Sequence, residues 1–340
     1  MNSKKDSVLL MPGPNGWQLW RGNRENGFRR SLENGPMRAS EIENIPHGHL
    51  LMAFPVREAL AVPFKAQTAD QSMFEDLAAM HLEKSGVRPD PDAGRLTDVF
   101  AVGYKEEQTT LLSVVLAAPA VETMPSRAPS EFDISARFLP MAADAVTLWR
   151  ELGRWVFAVN CGGQLAYFQA LSGGSLGSDV IRDIQLALAQ LGLQGVDLKA
   201  DKVVIWKSGH DSDPGDEDVE VLARAFEVEV SVEPKPRPVM PEPMSRIVPA
   251  DVRAERSMKA HKQKRNLMIA ALLLVYLMIA GYFGYDYFQL NKQLEKQEER
   301  LAVVTDQYRE IGLFNADWNQ LLPMVDSQHW PLQLLHRTAT

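Results

Sequence analysis

Apolar and polar positions alternate in short runs through the first 232 residues, and then the pattern changes. Val8–Met11 is an apolar run, Pro12–Gly16 breaks it, and Trp17 and Leu19 then alternate with Gln18. A period of two bounded by Pro and Gly predicts strand, turn, strand. "HLLMAFP" (49–55) and "EALAVPF" (58–64) predict two more short strands, and "DVFAVGY" (98–104) with "TLLSVVLAA" (110–118) a strand pair. "TADQSMFEDLAAMHLEKSG" (68–86) reads as a helix. Thr68 and Gln71 suit a capping box, Phe74, Leu77 and Met80 form its buried stripe, and Gly86 ends it. "WVFAVNCGGQLAYFQAL" (155–171) is a second strand–turn–strand, followed by a helix with Ile181, Ile184, Leu188 and Leu191 on one face. "KVVIWKSG" predicts a strand, "DEDVEVLARAF" a helix and "EVEVSV" a last strand. Residues 1–232 are therefore α/β, and two strand–turn–strand units, each opening a half, predict a duplicated architecture.

After residue 232 the periodicity disappears. Residues 233–252 open with "EPKPRPVMPEPMSRIVP", whose prolines at 234, 236, 238, 241, 243 and 249 remove backbone donors and hold φ near −65°. The expectation is an extended, semi-rigid tether, with a domain boundary near residue 233. A ligand for a proline-reading module is the alternative. Residues 253–266 follow with Arg253, Arg256, Lys259, Lys262, Lys264 and Arg265 against Glu255. The chain then runs from Leu267 to Tyr285 without a charge, and aromatic residues cluster at the far end at Tyr282, Phe283, Tyr285, Tyr287 and Phe288. A soluble core helix of that length shows a polar face. This run shows none, so 267–288 reads as a membrane span with an interfacial aromatic belt. The cations before it place the N-terminal side in the cytoplasm and the C-terminal side outside. Beyond the span, Tyr287, Leu290, Leu294, Leu301, Val304, Tyr308 and Ile311 step by three and four, with Gln297 filling the gap. That is a heptad seam over 289–312, ended by Gly312. It fits a partner helix, and a second copy of the chain fits it as well. A solitary amphipathic helix is the other reading.

Composition narrows the chemistry. Net charge is −8, which disfavours nucleic acid as a partner. The single cysteine, Cys161, excludes a disulfide within the chain and a thiolate metal cluster. His47 and His49 are close in sequence but too few for a metal site. The apolar run before Pro12 is too short for a secretory signal, in agreement with a cytoplasmic start.

The order of these parts resembles the actin-like fold as used by PilM of type IV pili and by the cytoplasmic domain of GspL in type II secretion. "LLMPGPNGWQLWRG" resembles the first hairpin of those proteins, and "LMAFPVREALAVPFKAQTADQSMFEDLAAMHLEKSGV" their strand–proline–strand–helix insert. "WVFAVNCGGQLAYFQAL" would open the second half, and "VVIWKSG" would be its late strand. The part after the proline-rich stretch resembles the start of PilN or the outer half of GspL. The implied fold is a degenerate actin-like domain, duplicated and RNase H-like, then one transmembrane helix and a coiled-coil helix. The resemblance also implies a small ferredoxin-like domain further on. Residues 313–340 either depend on a partner or are the start of that domain, and the second reading is preferred.

Actin-like ATPases hold phosphates on two Gly-turn hairpins, each with an acidic residue. Here no Asp precedes Gly13, and Pro12 and Pro14 lack the N–H a phosphate cradle uses. Asn160 stands where the second carboxylate is expected. "KSGHDSD" leads into the acidic loop "DSDPGDED", which repels phosphate. "SGGSLGSD" lacks the Lys of a P-loop, and "DSDPGDEDVE" misses the EF-hand spacing. The expectation is therefore a non-enzyme with no catalytic, cofactor-binding or metal-binding residue. It is a bitopic inner-membrane platform component for type II secretion or pilus biogenesis. Its expected partners are the assembly ATPase in the cytoplasm, with the 211–220 loop as one candidate contact, and a PilN-, PilO- or GspM-like protein along the span and heptads. The alternatives are a membrane-anchored actin-like ATPase or kinase-like enzyme, and a bitopic signalling adaptor.

Overall fold

The computed structural model describes residues 6–32, 35–105, 107–120, 123–196, 200–209, 214–325 and 335. The chain forms two units, Met1–Met258 and Lys259–Thr340. Strands of the first half are β1 (Ser7–Pro12), β2 (Trp17–Asn23), β3 (Gly27–Leu32), β4 (His49–Phe54), β5 (Ala59–Ala66), β6 (Gly94–Arg95), β7 (Thr97–Lys105), β8 (Gln108–Leu116) and β9 (Glu131–Ile134). The second half holds β10 (Ala145–Glu151), β11 (Arg154–Cys161), β12 (Gln164–Ala170), β13 (Lys202–Lys207) and β14 (Glu229–Pro234). A short β15 (Val248–Pro249) follows. The helices are α1 (Phe74–Lys84), α2 (Ser178–Leu193), α3 (Asp216–Phe226) and α4 (Ala250–Val325).

The two halves repeat one topology. Sheet one runs β3-β2-β1-β4-β9 and sheet two β12-β11-β10-β13-β14. In each, the first three strands form an antiparallel meander and two parallel strands are added on the far side of the first. This duplicated strand order is the RNase H-like repeat of the actin-like fold. In the second half α2 and α3 make the crossovers that parallel strands require. In the first half the β4-to-β9 connection holds an inserted sheet, β5-β8-β7, with α1 packed on it.

Period-two alternation decides which core each side chain joins. On β10 and β13, Ala145, Trp149, Val204 and Trp206 enter a core shared with sheet one. Their neighbours Val146, Leu148, Val203 and Ile205 face α2 and α3 with Val180, Ile181 and Ile184. Strands buried on both faces, such as β1, therefore read as continuous apolar runs.

Several expectations are corrected. The second half opens on β10, "AVTLWRE", and not on the "WVFAVNC" strand, which is its second strand. Asp70, not Thr68, anchors the start of the 68–86 helix, accepting from Ser72 N at 2.9 Å. α1 begins only at Phe74, which rotates the buried face to Phe74, Ala78 and Leu82 and leaves Met80 exposed. Gly312 does not end the last helix: α4 is continuous to Val325, because an isolated helical glycine costs only about 1 kcal/mol. Leu332 and Leu334 lie outside the described residues.

The proline-rich segment is not a free spacer. It is laid along the first unit as a strap. Lys235 N donates to Lys207 O (3.1 Å) and Val239 N to Phe138 O (2.7 Å). Ser245 N donates to Asp133 Oδ2 (3.1 Å), and Arg246 N to Asp98 Oδ2 (2.8 Å). Ile247 is buried, and β15 pairs with β6. Prolines lack donors, but the residues between them supply the N–H groups that two buried carboxylates accept. Arg256, read as a topology signal, donates to Pro129 O at 3.0 Å and so fastens the first turns of α4 to the domain.

Candidate functional site at the junction of the two halves

The meanders bring two turns face to face. In the β1–β2 turn, Gly13 N donates to Gly16 O at 2.8 Å. A Cβ on Gly16 would lie 2.1 Å from Gly35 O, so no side chain fits there. The β10–β11 turn is Leu152–Gly153, with φ of 48° and 81°. A two-residue hairpin with both φ positive matches strand twist, but it suits Asn-Gly far better than Leu-Gly. Leu152 is held in that strained conformation by burial in the shared core, where it is 3% exposed.

The two turns are bonded to each other. Leu152 N donates to Gly13 O (2.8 Å) and Gly153 N to Pro14 O (2.6 Å). A phosphate cradle needs free amides converging on one point. Here the amides of Gly13, Leu152 and Gly153 are committed to carbonyls, and Pro12 and Pro14 have none.

A carboxylate that sequence reasoning missed sits beside the second turn. Glu151, the last residue of β10, is 2% exposed. Its Oε1 accepts from Ser135 Oγ (2.6 Å) and Trp149 Nε1 (2.8 Å), and its Oε2 from Val56 N (2.9 Å). Val56 follows β4, so this carboxylate ties the second half to the first. Burial pushes its pKa up, while nearby Lys235 and the three donors pull it down. Lys235 is the complementary case: burial pushes its ammonium down to about 8, against the opposing pull of Glu151. Strongly perturbed groups mark functional sites only when they face a ligand. Glu151 faces protein donors, which is an anchoring role. The sequence signal for it was weak: one acid ending an apolar strand that went unread.

The sequence-predicted candidates do not assemble. Asn160 lies on the β11–β12 hairpin and not beside the joined turns, with its Nδ2 3.5 Å from Met141 O. Cys161 is partly buried against both cores. His49 Nε2 is 3.6 Å from Glu131 Oε1, and the described residues contain no cluster of three or more metal-ligating side chains. In "SGGSLGSD", Ser172 N donates to Asp183 at 3.4 Å, closing the loop onto α2. In the acidic loop, Gly215 N donates to Asp218 Oδ2 (3.1 Å), and Asp216, Glu217 and Asp218 sit in the first turn of α3, where the helix dipole favours them. His210 and Asp211–Asp213 lie outside the described residues.

No protein-family model matches this chain. No curated protein sequence matches it either. Among solved structures, it is similar to a Bacteroides thetaiotaomicron protein with an actin-like ATPase fold and unknown function. That match has 8% identity and a TM-score of 0.36, and covers 67% of this chain and 91% of that one. It is also similar to the cytoplasmic domain of EpsL, an inner membrane component of the type II secretion system of Vibrio cholerae. Here identity is 8% and the TM-score 0.35, covering 65% of this chain and 94% of that one. The fold assignment rests on the repeated strand order of the two sheets.

Proposed function

We propose that this chain is a non-catalytic, single-span component of a bacterial inner-membrane platform for type II secretion or pilus assembly. Its actin-like domain lies in the cytoplasm and engages the assembly ATPase. Its span and heptads pair with a PilN-, PilO- or GspM-like membrane partner or with a second copy of the chain.

One observation carries this reading. α4 is the one described helix long and apolar enough to cross a membrane. Its charge-free stretch Leu267–Tyr285 is about 28 Å long at 1.5 Å per residue, close to the ~30 Å of hydrocarbon it would cross. Apolar side chains around the whole helix, from Leu267 to Phe288, are exposed. Its nine Leu, Ile, Val and Phe residues favour insertion by about 3–5 kcal/mol in all. The cations ahead of the span support the inward N-terminus. The bonded turns support the absence of catalysis, since the amides an ATPase site needs are already occupied. The exposed seam at Leu290, Leu294, Leu301, Val304 and Ile311 supports a helical partner.

The test is alkaline carbonate extraction of membranes, with maleimide labelling of cysteines introduced at Glu25 and at Asn315 in a Cys161→Ser background. The expected result is a pelleted chain labelled from outside only at 315. Soluble chain, or label at 25 from outside, overturns the topology. Release of inorganic phosphate from ATP by the purified chain, above a no-protein control, overturns the non-catalytic part alone.

A further inference from the structure

The first unit contains a cleft of about 840 Å³ whose walls come from both halves. The first half supplies Pro14, in the β1–β2 turn, with Trp20, Arg29 and Arg30, and the second half supplies Lys207, at the end of β13, with Lys235 and Arg237 just beyond β14. Among the described lining residues five are Lys or Arg and none is Asp or Glu. The chain as a whole carries eight more acids than bases, so this concentration runs against its average and is not a by-product of general basicity.

Two donors in the wall lack acceptors. Trp20, 8% exposed, has its indole Nε1 buried without a hydrogen-bond partner among the described residues, and so has Lys235 Nζ. A buried unsatisfied donor costs about 1–3 kcal/mol, more when charged, so the fold holds two donors at a cost that an acceptor would remove. Glu151, the carboxylate that acts on Lys235, has its oxygens on Val56, Ser135 and Trp149. Arg29, Lys207 and Arg237 make no ion pair among the described residues. Arg30 lies over the Trp20 ring, 5.6 Å from its centroid.

We infer that this cleft binds an acidic peptide segment of a partner protein. The described walls offer donors and cations and no carboxylate, which fits a ligand that is anionic and rich in acceptors. The arrangement favours carboxylates spaced along a chain over one phosphate group. Phosphate is held by amides converging on a point, whereas three prolines, Pro14, Pro234 and Pro236, line this cleft and have no N–H. The cations are spread over three segments of backbone. The Trp20 ring and the proline rings give the peptide's stems an apolar wall. This inference stands whether or not the platform reading does.

The test uses the full chain in detergent micelles and a fluorescein-labelled octaglutamate peptide, followed by anisotropy at several salt concentrations. Saturable binding that weakens with salt is expected, with an octaglutamine control at least tenfold weaker. The double variant Arg29→Glu, Lys207→Glu changes only cleft-lining side chains outside the core and is expected to lower affinity at least tenfold, with an unchanged circular dichroism spectrum. Trp20→Phe keeps an aromatic wall, though a smaller one, and removes the indole N–H, and is expected to lower affinity at least about threefold, as for loss of one hydrogen bond. Equal affinity of the double variant and the parent overturns the inference. So does displacement of the peptide by equimolar tripolyphosphate or glycerol 3-phosphate, which would make the cleft a phosphate site.

Discussion

Removing the Asp98 carboxylate should release the strap and open it to protease. Asp98 is 6% exposed. Its Oδ2 accepts from Arg246 N (2.8 Å) and Ser245 Oγ (3.1 Å), and its Oδ1 from Arg246 Nη2 (3.1 Å). Asp98→Ala deletes all three bonds and strands two donors in a buried place. The Arg246 side chain is half-exposed, so the cost is that of the stranded donors, about 1–3 kcal/mol each and roughly 3–5 kcal/mol for the two together. The lower figure, taken wholly as easier local opening, raises the open population on the order of 100-fold. Trypsin reads this directly. The bonds after Lys235 and Arg237 precede proline and resist cleavage, which leaves Arg246–Ile247, where Ile247 is 1% exposed. Cleavage there tracks the open population when reclosing is fast. The parent chain should be cut slowly at this bond and Asp98→Ala on the order of 100-fold faster. Asp6→Ala serves as control, because the Asp6–Arg21 pair is more than half exposed and is worth less than about 1 kcal/mol. Rapid cleavage of the parent at Arg246–Ile247, or less than threefold acceleration in Asp98→Ala, would refute the strap.

Three further outcomes follow from the same geometry. Burial pushes Asp133 up to about 6 against the opposing effects of Arg137 and two backbone donors; a folded value above the ordinary 3.8 means the native state holds its proton longer, so stability should fall as pH rises from about 4 to 6 and flatten above, and Asp133→Asn should remove that slope in urea titrations. Lys235 has the opposite sign: with its folded value lowered to about 8, the unfolded chain binds the extra proton between pH 8 and 10.5, so stability should rise across that window, and Lys235→Met should abolish the rise. Gly16→Ala should lower the melting temperature of the domain, at a cost of about 1–3 kcal/mol or more for overpacking, because the new Cβ meets the Gly35 carbonyl and not a movable side chain; an unchanged midpoint would count against the turn geometry.

Most strands were legible because their signal is local. Alternation in "LLMPGPNGWQLW" and "DVFAVGY" needs no knowledge of what lies across the sheet, and the order of such runs was enough for the duplicated α/β fold. β10 was missed although "AVTLWRE" alternates, since its neighbour "WVFAVNC" offered a stronger apolar run and a double glycine. The turn that meets the β1–β2 turn is therefore Leu152–Gly153 and not the double glycine Gly162–Gly163 that follows Asn160. Leucine at positive φ carries no turn signature; only its burial against the other half explains it. The α1 stripe slipped because the helix starts after a 3-10 turn that composition does not mark.

By itself the sequence determined the repeating strand pattern, the uncharged run near residue 275, the cations before it and the heptads after it, for each is a periodicity or a composition within one stretch of chain. The tertiary structure alone decided that the prolines form a strap, that Glu151 anchors Val56 across 95 residues, that Asp98 holds Arg246 across 148, and that cations from three separate segments line one cleft. Those pairings depend on which surfaces meet when two sheets pack, and no local period records that.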